Sequence, residues 1–169
     1  ALTQLYCYQQ FGSNLGLLGI TSLDVSQNTA LTVLYCSYNP LTSLDVSQNT
    51  SLIRLLCNNT QINSLDVSQN TAITELRCHN NQLSSLDVSQ NSALSLLWCN
   101  NNQLSSLNVS QNTDLTEFWC KNNLLTTLDL RNGNNLNFTN FFVAHSNPNL
   151  YCILVDDANW ASANWTVAN

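Results

Sequence analysis

Cations are nearly missing from this chain: its 169 residues include four Lys and Arg against ten Asp and Glu, a net charge of −6. Neutralising a phosphate backbone takes a stripe of basic side chains, so nucleic acid is excluded as a partner. The same deficit excludes anchoring on anionic lipid. Charged residues of both signs make up only 8% of the chain. Its polar groups must therefore be satisfied by Ser, Thr, Asn and Gln rather than by ion pairs. No apolar run approaches the ~20 residues of a membrane helix, so membrane insertion is not expected. The opening ALTQLYCYQQ lacks the basic and apolar regions of a secretion signal, and location has to be read from elsewhere. Catalytic equipment is scarce too. There are two His and no nucleophile elbow, phosphate-binding loop or zinc-helix motif. A non-catalytic protein without cofactor or metal is expected.

What the chain does have is a repeat. Cys36, Cys57, Cys78, Cys99 and Cys120 follow one another at intervals of 21 residues, and the whole unit travels with them. It reads L-x-x-L-x-C-x-x-N-x-L-x-x-L-D-V-S-x-N-x-x. Its first half matches the leucine-rich-repeat signature L-x-x-L-x-L-x-x-N/C-x-L, with Cys in the third apolar place. One domain is expected. Residues 1–30 form an N-terminal coil with an 8-residue insertion inside Tyr8–Ile20, residues 31–135 are five regular repeats, and residues 136–169 are a C-terminal coil and cap. Leu150-Tyr151-Cys152 reads as the restart of the strand after an extra stretch over 136–146, giving seven strand-bearing coils.

Alternation fixes which side chains face inward. Leu34 and Cys36 point in, while Val33, Tyr35 and Ser37 point out; Leu44 and Val46 point in around Asp45. The expected fold is a mainly β leucine-rich-repeat solenoid, with parallel strands, about two short strands per coil and little helix. Equivalent Cys lie about 4.8 Å apart and point the same way, which suits packing as small buried hydrophobes better than disulfides. Zinc would want C-x-x-C pairs, and there are none. Asn39, Asn81, Asn102 and Asn123 are expected to form a ladder to turn backbone, broken at Thr60. Asp24, Asp45, Asp66, Asp87 and Asp129 recur at one position, with Asn108 interrupting. Capping of the following Ser-Gln-Asn turn is the favoured role, and calcium between coils is the alternative.

The inward positions repeat and the outward ones vary, so recognition chemistry is expected on the outer face of the first sheet. One line across it reads Tyr6, Tyr35, Leu56, Arg77, Trp98, Trp119 and Tyr151. Beside it stand Arg54, Glu75 and Glu117, and after the Cys come His79 and Lys121. Exposed aromatic rows mark interaction sites, and Trp, Tyr and Arg are common hot spots; the competing reading is that the rings only stiffen the sheet. The candidate binding residues are therefore Tyr35, Arg54, Glu75, Arg77, His79, Trp98, Glu117, Trp119, Lys121 and Tyr151.

The 21-residue unit resembles the irregular, Cys-bearing class of bacterial leucine-rich repeats called IRREKO. The tail NPNLYCILVDD (147–157), with Asn159-Trp160 and Asn164-Trp165 after it, is similar to the C-terminal cap of secreted repeat proteins of Bacteroidetes-type bacteria. The resemblance implies an extracellular, surface-displayed protein with a role in adhesion or ligand capture. A monomer binding a protein partner through the aromatic face is expected. Carbohydrate binding on the same Trp row, or a passive spacer role, are the alternatives.

Overall fold

A 21-residue coil cannot bury its apolar side chains alone; it does so against its neighbours. The computed structural model describes residues 1–8, 19–138 and 142–164, apart from the side chains of Asn137 and Asn164. It is a parallel-strand solenoid of about six turns with very little helix. The strands, in chain order, are β1 Gln4–Tyr6, β2 Val33–Tyr35, β3 Arg54–Leu56, β4 Glu75–Arg77, β5 Leu96–Trp98, β6 Ser106–Asn108, β7 Glu117–Trp119, β8 Thr127–Asp129, β9 Phe142–Val143 and β10 Cys152–Leu154. One sheet runs β1-β2-β3-β4-β5-β7-β9 and the other β10-β8-β6. Pairing in the first sheet is parallel and in register, Leu34 opposite Leu55 and Tyr35 opposite Leu56. Each step of 21 residues thus places equivalent side chains side by side.

The core is a column of these equivalents. In the coil that starts at Leu52, the side chains of Leu52, Leu55, Cys57, Ile62, Leu65 and Val67 are all buried. In the next coil the equivalent Ile73, Leu76, Cys78, Leu83, Leu86 and Val88 are buried as well. Burying one such Leu or Ile contributes roughly 1.5–3 kcal/mol, so the stacked column dominates stability. All seven cysteines are free, and Cys36, Cys57, Cys78, Cys99 and Cys120 are buried in the column. Burial pushes the thiols of these five up in pKa, which keeps them protonated and unreactive.

Two asparagine ladders close the corners. Asn102 Nδ2 donates to the carbonyls of Cys78 and Cys99, and its Oδ1 accepts from the Leu83 amide. Asn123 repeats this on Cys99, Cys120 and Leu104. The second ladder uses the last Asn of the Ser-Gln-Asn turn. Asn70 Nδ2 donates to Val46 and Asn49 carbonyls, and Asn91 and Asn112 do the same one and two coils on. Between the ladders the chain turns through a residue with φ of 53–57°, Asn59, Asn80, Asn101 and Asn122 in successive coils. Asn tolerates this left-handed conformation better than other side chains with a Cβ. The aspartates turn out to cap their own turns: Asp45 Oδ1 accepts from the Ser47 amide at 2.9 Å, and Asp24, Asp66 and Asp87 do likewise with Ser26, Ser68 and Ser89. These bonds hold the four carboxyls below the usual carboxylate range.

Two expectations need correction. The seventh strand of the main sheet is Phe142–Val143, with Phe142 opposite Phe118 and Val143 opposite Trp119; Leu150-Tyr151-Cys152 does not restart it. Cys152 instead begins β10, which pairs with β8 in the second sheet. The F-x-A-x-x-N of Phe142, Ala144 and Asn147 stands in for L-x-C-x-x-N, and Asn147 Nδ2 donates to Cys120 and Ala144 carbonyls as a ladder Asn should. Second, a second strand per coil is formed only at β6, β8 and β10 among the described residues. Val33 and Ser37, on the outward side as expected, are nonetheless buried. Most of the N-terminal insertion, residues 9–18, lies outside the described residues, as do 139–141 of the C-terminal extra stretch and Trp165.

Candidate binding face

In-register parallel strands about 4.8 Å apart carry equivalent outward side chains at nearly the spacing of stacked rings. Trp98 on β5 and Trp119 on β7 accordingly stack, centroids 4.4 Å apart and planes 10° from parallel. On the other side of Trp98 the Arg77 guanidinium lies 3.9 Å from the ring centre. Both faces of Trp98 are therefore covered, by a cation and by a second indole, and only its edge is presented outward. Trp98 Nε1 donates to Glu117 Oε1 at 2.8 Å, which fixes the ring's rotation. The Lys121 ammonium is 5.9 Å from the Trp119 ring centre, and the His79 ring lies 5.6 Å from that of Trp98.

Glu75 ties this stack to its neighbours. Its Oε2 accepts from Arg54 Nε at 2.6 Å and its Oε1 lies 2.7 Å from Arg77 Nε. One carboxylate thus serves two guanidinium groups and leaves one positive charge uncompensated. Arg54 also sits 5.3 Å from the Tyr35 ring centre, and Tyr35 meets Tyr6 edge to face at 4.9 Å. Nine of the ten expected residues are brought together on this face. Tyr151 is not: it precedes β10, on the side of the second sheet, and Val143 takes its place in the row.

His79 follows β4. Burial and the adjacent Arg77 guanidinium lower its pKa from 6.5 to about 4, so the ring is neutral at physiological pH. Its Nδ1 is buried and has no hydrogen-bond partner among the described residues.

Sequence reasoning missed one feature. Leu56 is a short side chain in a row of long ones, and a hollow of about 380 Å³ opens above it. Tyr6, Tyr8, Tyr35 and Tyr38 wall one end, and Arg77, His79 and Trp98 the other. The signal was the break in the aromatic line at Leu56.

No family model and no curated protein matches the chain. Solved structures do. The functional domain of InlJ from Listeria monocytogenes, described as including a cysteine ladder, is 34% identical with a TM-score of 0.68, over 91% of this chain and 34% of that one. An internalin, inlF, from the same species is 22% identical with a TM-score of 0.62, over 80% of this chain and 44% of that one. A leucine-rich-repeat protein of Leptospira interrogans is 19% identical with a TM-score of 0.58, over 78% of this chain and 32% of that one. The last two show the fold alone, and the chain spans less than half the length of all three. Taken with its 21-residue unit, its in-register parallel sheet and its column of buried Leu and Cys, this likeness makes the chain a leucine-rich-repeat solenoid of the kind found in bacterial proteins.

Proposed function

We propose that the chain is a non-catalytic, extracellular adhesion module that binds a protein partner through the outer face of its first sheet. The observation that carries this reading is the joined array Arg54–Glu75–Arg77–Trp98–Trp119. Two guanidiniums, two indoles and a carboxylate are locked together on a face whose positions vary from coil to coil. Preorganised Arg and Trp of this kind are what protein hot spots are made of. The likeness to the InlJ functional domain supports the reading. The IRREKO class and the Bacteroidetes-type origin remain part of the proposal, resting on the repeat's own sequence.

A carbohydrate platform needs an open ring face for the sugar to lie on. Trp98 has none, because Arg77 and Trp119 occupy both sides, and the protein reading is favoured for that reason. The test is to present the chain to a glycan array and, in parallel, to a set of host and bacterial surface proteins. Saturable binding to a protein that is lost on Trp98→Ala and Trp119→Ala, in variants that keep the unfolding transition, is expected. Saturable glycan binding, or protein binding that survives both substitutions, contradicts the proposal.

A further inference from the structure

We infer that the hollow above Leu56 is a socket for one aromatic side chain of the partner, flanked in the partner's sequence by carboxylates. The inference rests on the protein-binding reading and names what the partner must present.

The socket is built from the register. Tyr35, Leu56 and Arg77 are consecutive members of one outward row, and a Leu between two long side chains leaves a gap one side chain wide. Its volume, about 380 Å³, admits a phenol or indole. The walls are tyrosines on one side and the Trp98 edge on the other, surfaces against which a ring packs edge to face.

The carboxylates follow from charge. The outer face holds Arg54, Arg77 and Lys121 against Glu75 and Glu117, a sum of +1, while the whole chain carries −6. The rest of the molecule therefore sums to −7 and on balance disfavours an acidic partner. Both guanidiniums contact Glu75 through Nε. The Arg54 and Arg77 side chains stay 44% and 28% exposed, so a second carboxylate can reach them. Arg77 is itself part of the socket wall, so ring and carboxylate would be held together.

The probes are three capped tripeptides, Asp-Tyr-Asp, Lys-Tyr-Lys and Asp-Ala-Asp, with chitotriose as a fourth. Each is titrated into the full chain near pH 7 while the His79 ring and Trp98 indole resonances are followed by NMR. Saturable shifts with Asp-Tyr-Asp are expected, with His145 unmoved and binding at least about ten-fold weaker for the other two peptides. Leu56→Phe should weaken and Leu56→Trp abolish the response. Both variants alter a half-buried outward position, and retention of the remaining spectrum verifies their fold. Equal binding of all three peptides, no saturation, unchanged binding to Leu56→Trp, or a response to chitotriose alone overturns the inference. If the peptides fail while a protein partner is still lost on Trp98→Ala and Trp119→Ala, only the socket is wrong.

Discussion

At the scale of single residues, His79 is the most informative probe of the face. Its pKa is held at about 4, below its ordinary 6.5, by burial and by Arg77. As pH falls the unfolded chain takes up the proton first, so stability is lost between about 6.5 and 4 and is unaffected above that window. The denaturation midpoint of the wild type is expected to fall across this interval more steeply than that of His79→Gln. Equal slopes would contradict the burial of the ring. The sequence showed that His79 shares a face with Glu75 and Arg77, because alternation along a strand is strict. It did not show the lowered pKa, which depends on the burial of the ring and on the nearby Arg77 charge. Nor did it show that Trp98 is closed on both faces. That follows from ring spacing across strands, which no single coil contains.

At the scale of the repeating element, the asparagine ladder decides how well neighbouring coils lock. The first ladder was legible, since its Asn stands at a fixed distance from each Cys. The second was not legible in the Ser-Gln-Asn turn, because Asn is also an ordinary turn residue. Thr60 shows what a missing rung does. Its hydroxyl reaches the Cys57 carbonyl at 3.0 Å and Asn81 Oδ1 at 2.6 Å, but one proton cannot serve both. Asn81 Oδ1, engaged there, bonds no amide of the coil before it, unlike Asn102 and Asn123. Thr60→Asn is expected to restore bonds to the Cys36 carbonyl and the Leu41 amide and to stabilise by about 1 kcal/mol. An unchanged or lowered denaturation midpoint would show that the ladder does not carry this weight. The misplaced seventh strand belongs to this scale as well. Leu-Tyr-Cys at 150–152 copies the repeat's letters, yet the ladder Asn at 147 and the inward Phe142 mark the true register. Hydrogen-bonding side chains were a better guide to register there than the Cys.

At the scale of the whole molecule, the fold was readable because five repeats of one length leave a chain with few alternatives to stacking. The binding face was readable in outline, as the set of positions that vary while the core repeats. Its details came from neighbours meeting across coils: the guanidinium over an indole, the carboxylate shared by two arginines, the hollow over a short residue. The molecule that results is acidic around a face of the opposite sign, and electrostatic steering should favour approach to that face alone. The most direct test compares two faces of one protein against an identified protein ligand by equilibrium binding. One variant carries Tyr35→Ala with Trp119→Ala on the sheet face; the other carries Gln48→Ala, Gln69→Ala and Gln90→Ala at the exposed Ser-Gln-Asn turns. Affinity lost by at least about ten-fold in the first and kept in the second is the expected result. Affinity kept in the first and lost in the second would place recognition on the turns and contradict the account.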